Sequence, residues 1–301
     1  MTDTPTTEDR FAGFKSRWLD ELSLGRLDRA AATVAEASAW AAAHGTQDQV
    51  DQCTCVGIAT GLELGDAAIE VRPLREILLR NAEAGNCLLA AYTLARHYEL
   101  RKEFKKALFY SRIARDRAAG LERADYQASI HNQVGNALLA LSQIDEACGE
   151  YEQALALMPV DESTWRARIL DNLGYCRVLQ GRPADGYPLL YESLSVLRRL
   201  GARRYQISTR LDLSFAHLES GRLRHATRQA SVALDLAEEF DEPDSIKNAL
   251  FLLGEAYNLR GEETLAESCF RRLQRTYFPD QGYLSGFLLS VDVRKMVNLH
   301  A

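Results

Sequence analysis

The chain has 301 residues, 47% of them hydrophobic and 26% charged, with a formal net charge of −6. That acidic balance excludes a nucleic-acid backbone as the main ligand, because neutralising phosphates needs a basic excess. Only 7 prolines interrupt long stretches rich in Ala, Leu, Arg and Glu, and no stretch alternates Val, Ile and Thr as a strand would.

Residues 1–10 are polar and lack both a basic start and an apolar run, so they read as a short unstructured tail rather than a secretory signal. No apolar stretch is long enough to span a membrane. Cys53, Cys55, Cys87, Cys148, Cys176 and Cys269 sit in apolar, helical surroundings. None has a Cys or His partner at zinc-ligand spacing. Reduced, buried thiols fit a cytoplasmic protein, and neither a metal nor a cofactor is expected.

From residue 11 onward the chain repeats itself. Trp18, with Gly25, Ala30 and Ala37, opens a first degenerate copy, and Val56-Gly57 marks a second. Clearer copies follow at Leu94-Ala95 with Tyr98, Ala107 and Ala114, and at Val134-Gly135 with Leu138, Ala147, Tyr151, Ala154 and Pro159. Leu173-Gly174 leads Gly181, Gly186 and Leu190, and Leu213-Ser214 leads Gly221, Ala226 and Ala233. Leu253-Gly254 leads Tyr257, Gly261, Ala266 and Phe270. The five anchors Ala95, Gly135, Gly174, Ser214 and Gly254 are spaced 40, 39, 40 and 40 residues apart.

A period of this length predicts stacked helical hairpins, about seven of them over residues 11–279. The small anchor residues let two helices approach closely. Tyr98, Tyr151, Tyr257 and Phe270 are expected to fill the space between one repeat and the next. Gly181, Gly221 and Gly261 are placed to end first helices in the left-handed conformation. After Pro279, the residues Tyr283, Leu284, Phe287, Leu288, Val291 and Met296 form one apolar stripe. They predict a capping helix within residues 280–301, covering the flank that the last repeat exposes.

From Leu88 to Pro279 these copies resemble the tetratricopeptide repeat family. The unit of about forty residues exceeds the family's usual ~34. In this it is similar to the long-repeat branch that includes kinesin light chains and bacterial peptide-sensing regulators. The added residues are expected to lengthen the first helix, as from Glu122 to Leu141. The resemblance implies an all-α, right-handed superhelical solenoid of antiparallel helix pairs, with the first helices lining a concave groove. On that register Arg96, Asn132, Asn136, Arg168, Asp171, Asn172, Tyr175, Asp212, Phe215, Asn248 and Glu255 point inward or close to it.

Asn132 and Asn136 lie one turn apart on a shared face, and Asn172 takes nearly the same place one repeat later. Asparagine is a poor helix former, so alanine at positions 132 and 136 should leave the fold at least as stable. An amide also offers a donor and an acceptor, which suits a peptide backbone. The competing reading is that these amides are solvated or tie adjacent helices together. Chaperone-tail binders of the family grip a terminal carboxylate with two asparagines and several basic residues. Asn136 and Asn172 match the asparagines, but Asn132, Ser208 and Asp212 stand where the basic residues would be. The resemblance therefore implies a groove for main chain rather than a carboxylate clamp.

Basic residues cluster at Arg198, Arg199, Arg203 and Arg204, at Arg222, Arg224 and Arg228, and at Arg101, Lys102, Lys105 and Lys106. The default for each is a solvated edge, with an acidic partner second and RNA a distant third. No phosphate loop, dinucleotide fingerprint or Gly-x-Ser-x-Gly elbow occurs, and the six histidines form no metal pair. No catalytic residue is expected. The expected function is a non-catalytic protein–protein interaction scaffold or adaptor, holding a peptide or protein segment in the concave groove. The alternative is a ligand- or peptide-sensing regulatory module that controls a partner protein. Neither nucleic acid nor membrane is an expected partner, and a homo-oligomer is compatible with the same surfaces.

Overall fold

The computed structural model describes residues 7–66, 68–119, 124–159 and 163–300. They form fifteen α-helices and one short 3-10 turn, and no strand occurs among the described residues. The chain divides into two compact units, Met1–Asp161 and Glu162–Ala301.

The first unit contains α1 (Thr7–Ser23), α2 (Leu27–His44), α3 (Gln47–Glu63), α4 (Arg72–Leu79), α5 (Ala84–Leu100), α6 (Phe104–Ala118), α7 (Ala124–Ala140) and α8 (Ile144–Leu157). Consecutive helices pack as pairs. Helix α1 starts at Thr7, inside the expected tail, because Glu8 and Asp9 place negative charge on its first turn. Residues 1–6 lie outside the described residues, as does Glu122, the expected start of a longer helix before Leu141. Phe11 and Trp18 are buried on one face of α1 and meet Trp40 of α2, with Phe11 centroids 5.8 Å and 6.2 Å from the two tryptophan rings. Thr46 and Gln49 form a reciprocal capping box at the start of α3. Helix α4 has only 8 residues, with Pro73 in its first turn, and is followed by Asn81 at φ +49°. This short second helix is why the second copy is hard to see in the sequence.

The second unit contains α9 (Thr164–Leu179), α10 (Pro183–Arg199), α11 (Gln206–Glu219), α12 (Leu223–Glu239), α13 (Pro243–Leu259), α14 (Glu263–Tyr277) and α15 (Leu284–Ser290). Helices α9 and α10, α11 and α12, and α13 and α14 pair in turn, and the first helices α9, α11 and α13 are neighbours.

Glycine anchors set the close approach within a pair. A Cβ added to Gly135 would lie 2.6 Å from Tyr151 Cε1, and one added to Gly174 would lie 2.7 Å from Leu190 Cγ. The Phe270 ring lies over Gly254 in the same way. Tyr151 and Phe270 therefore fill space inside their own pairs, which corrects the expectation that they wedge between repeats. A glycine leaves a hollow on one helix, and the aromatic ring of its own hairpin partner is the nearest group able to fill it. At the Ser214 anchor the hydroxyl stays, donating to the Ala226 carbonyl at 2.9 Å.

The first helices stop at a fixed distance from these anchors. Gly181, Gly221 and Gly261 have φ of +74°, +69° and +75°. Lys102 and Ser142 take the same left-handed turn after α5 and α7, at φ +58° and +61°. Each lies seven residues after its anchor.

Beyond Pro279 the structure departs from a long capping helix. Helix α15 packs on α14 and α13 but has only 7 residues. Val291 is extended at φ −126° and ψ 125°, a 3-10 turn spans Arg294–Met296, and Val297 is extended again. Val291, Asp292, Val293, Val297 and Asn298 are weak helix formers, so tertiary contacts decide their path.

Candidate functional site

In the first unit the polar residues of α5 and α7 are engaged with their own fold. Arg96 donates to both carboxylate oxygens of Glu63, at 2.6 Å and 3.1 Å, and pairs with Glu99 at 3.1 Å. The Asn136 carbonyl oxygen accepts from the Tyr151 hydroxyl at 2.9 Å, and its amide points at Glu99 across 3.5 Å. Asn132 is buried on the same helix. Gln133, between them, donates to the Tyr92 carbonyl at 2.9 Å and so ties α7 to α5.

These contacts reverse the stability expected from helix propensity. Asn136→Ala gains a better helix former but removes the bond that the hydroxyl of a fully buried Tyr151 donates to it. The lost bond costs about 1 kcal/mol, more than the propensity gain of ~0.7 kcal/mol or less. Urea denaturation should therefore show a lower midpoint. A higher midpoint would mean that the amide contributes nothing to packing.

The second unit gathers the other residues differently. Asp171 and Tyr175 lie one turn apart on α9, Asp212 and Phe215 share a face of α11, and Asn248 and Glu255 belong to α13. Tyr175 is 0% exposed, Asp212 1%, Asp171 2% and Glu255 3%. Three carboxylates thus lie among apolar groups on adjacent first helices. Asn172 is half-buried beside them. Arg168 points elsewhere, its guanidinium 5.3 Å and 5.2 Å from the Trp165 and Tyr205 ring centroids.

The chain's own residues 291–300 meet this cluster. The His300 ring stacks on Tyr175 with centroids 4.4 Å apart and planes at 13°. Its Nε2 lies 3.1 Å from both Asp212 carboxylate oxygens. The Leu299 amide donates to the Tyr175 hydroxyl at 2.9 Å, and the Leu299 carbonyl accepts from the Asn248 amide at 3.0 Å. The Tyr175 hydroxyl in turn donates to Asn298 Oδ1 at 3.4 Å. Arg294 approaches Glu219 at 3.8 Å while paired with Asp292 at 2.6 Å.

Burial dominates the electrostatics. It raises Asp171 well above the usual carboxylate range, and the neighbouring Asp212 charge raises it further, while Ser208, donating to Asp171 at 2.8 Å, opposes the shift. Burial also raises Asp212, against the pull of His300. It pushes Glu255 up to about 7, with Arg294 lowering and Asp292 raising it. Tyr175 is raised well above its ordinary value by burial and then by Asp212, so its hydroxyl keeps its proton as a donor. Asp171 Oδ1 and Glu255 Oε1 are buried with no hydrogen-bond partner among the described residues.

Such a site can hold main chain through Tyr175 and Asn248 and a cation through its carboxylates. The sequence pointed to its α9, α11 and α13 members but not to Arg294, Asn298 or His300. The signal was the poor helix propensity of residues 291–300, which a single apolar stripe masked. Among the described residues no group of three His, Cys, Asp or Glu side chains is placed to hold a metal ion. No helix among them is long and apolar enough to cross a membrane.

Two members of the arginine-rich edge, Arg203 and Arg204, are held in ion pairs. Arg203 binds Glu239 through two contacts, at 2.6 Å and 2.5 Å, and Arg204 meets Glu242 at 2.8 Å. A second buried cluster surrounds His217, whose ring nitrogens lie 3.1 Å from the Tyr187 hydroxyl and 2.9 Å from that of Tyr191. Burial, then His225 and Arg222, lower His217 to about 4, so it remains a neutral core group.

No family model matches the chain, and no curated protein matches it in sequence. Solved structures do match in fold. A Rap protein complexed with Competence and Sporulation Factor has a TM-score of 0.72 at 15% identity, covering 95% of this chain and 78% of that one. The Rap conjugation gene regulator of the plasmid pLS20, in complex with the Phr* peptide, has a TM-score of 0.58 at 13% identity, covering 93% and 78%. TPR-like repeats of a kinesin light chain from Podosopora anserina give 0.50 at 16%, covering 66% and 98%. The fold is that of TPR-like helical repeats.

Proposed function

We propose that the chain is a non-catalytic interaction module in which α9, α11 and α13 hold an extended polypeptide segment. One observation carries this reading. The backbone of Leu299 is held on both its polar sides by side chains of the helix array, Tyr175 on the amide and Asn248 on the carbonyl. Side chains that bond main chain accept segments of varied sequence, as peptide-binding repeats require. Two of the similar structures are complexes, one with Competence and Sporulation Factor and one with the Phr* peptide, which supports a peptide as the ligand class. Arg96, Asn132, Asn136, Arg168 and Asn172 remain proposed contributors to partner binding on the first helices. A regulatory module is the second reading, favoured by the presence of the chain's own segment at the site.

A peptide-display library selected on the intact protein tests the proposal. Hydrogen exchange of the protein bound to an enriched peptide should slow in α9, α11 and α13. Protection confined to α10, α12 and α14 would refute the proposed site.

A further inference from the structure

Residues 291–300 have the contacts of a bound peptide. They leave the helical path at Val291, make a single 3-10 turn, pass through an extended Val297, and turn again at Leu299 and His300. Val293 and Leu299 are buried as apolar anchors. The main chain is held by Tyr175 and Asn248, and the one ring that reaches the acidic floor, His300, is both stacked on Tyr175 and bonded to Asp212. A cap that only covered apolar surface would need none of these polar contacts.

The fit is incomplete in an informative way. His300 offers one N–H to a floor that contains Asp171 as well as Asp212, and Asp171 Oδ1 has no partner among the described residues. Glu255 Oε1 is left in the same state. A guanidinium carries five donors in a planar fork and remains charged when buried, so it could serve two carboxylates where an imidazole serves one. Charge-assisted bonds of that kind are roughly twice as strong as neutral ones.

Resting on the proposed groove, we infer that residues 291–300 are a displaceable internal ligand, and that the partner displacing them is an extended peptide bearing arginine where His300 now lies. The segment competes from the same chain, at an effective concentration on the order of millimolar. It therefore sets a threshold that only a better-matched peptide crosses. The acidic floor supplies that match, because it selects for a cationic side chain while the main-chain contacts remain common to both occupants.

The test uses the full chain with a protease site inserted between Ser290 and Val291, both exposed. The probe is a fluorescein-labelled peptide of residues 291–301, followed by anisotropy. The uncut protein should bind it at least tenfold more weakly than the cut protein. On cut protein, a His300→Arg peptide should bind at least tenfold tighter than the native peptide, and a His300→Ala peptide at least tenfold weaker. Asp212→Asn in the chain should narrow the gap between the arginine and alanine peptides to less than threefold. The inference is overturned if the cut fragment never exchanges, if cutting abolishes the helical circular dichroism, or if affinity ignores residue 300. Equal binding of a peptide with glutamate at 294 and 300 would also overturn it, yet leave the groove itself standing. Peptides that protect only the second helices would instead remove the groove reading beneath it.

Discussion

Gly174→Leu should lower the stability of the second unit by about 3 kcal/mol, the upper end for an overpacked core. The reason is that neighbours press on this position from two sides. Its Cβ would meet Leu190 Cγ at 2.7 Å and the Gly186 carbonyl oxygen at 3.2 Å, and a Cβ on Gly186 would meet the Gly174 carbonyl at 2.6 Å. A leucine rotamer can give way, but two backbones in contact cannot without separating α9 from α10. Gly149 provides the contrast, because it is also inside a helix but has nothing within 4 Å of its Cβ position. Gly149→Ala should gain up to about 1 kcal/mol from helix propensity alone. Chemical denaturation of the two variants beside the parent reads both effects. An unchanged midpoint for Gly174→Leu would remove the close helix approach from the account of this fold.

Glu255→Gln should stabilise the protein at pH 8 and have little effect at pH 4. Glu255 titrates at about 7 in the folded chain against an ordinary 4.5. Between those values the folded state binds more protons than the unfolded state, so stability falls as pH rises through the window. Above pH 7 the buried carboxylate is ionised in both states and the full cost is present, at most about 3 kcal/mol for a shift of this size. Glutamine keeps the shape of the protonated acid and removes the cost. Arg294 and Asp292 face the same group and change its charge balance in opposite directions. His217 acts with the reverse sign. Its lowered value of about 4 means that the unfolded state binds more protons below pH 6.5, so that contribution to stability is lost as pH falls. The variant-minus-parent difference in melting temperature isolates Glu255 from this background. A difference independent of pH would show that the carboxylate is not held uncharged by burial.

Periodicity made the repeat legible, because the residues that set it are steric necessities. Gly135, Gly174 and Gly254 recur since a neighbouring side chain occupies the space a Cβ would need. Side-chain partnerships were less legible. Asn136 has the composition of a ligand-binding residue, but only the fold reveals that Tyr151 donates to it. The same limit hid the path of residues 291–300. Leu284, Phe287 and Leu288 do form a helical face, yet the chain beyond Ser290 follows Tyr175, Asp212 and Asn248, which lie some fifty to more than a hundred residues earlier. A contact over such separations leaves no local pattern. The acidic floor was half visible: Asp171, Asp212 and Glu255 fell on the right helices by register, whereas their mutual burial depends on tertiary packing.

The left-handed stop seven residues after each anchor turns the repeat into a ruler. The second helices α6, α8, α10, α12 and α14 all begin nine residues after theirs, at Phe104, Ile144, Pro183, Leu223 and Glu263. An α-helix turns about 100° per residue, so one residue added within that stretch would rotate the anchor away from the ring or leucine that fills it. The single irregular interval, from Gly135 to Gly174, has the same nine-residue spacing and loses its residue after Ile144 instead. Length is therefore free to drift only beyond the start of each second helix. Such an array can gain or lose residues at those joints over evolutionary time while every hairpin keeps its internal measure.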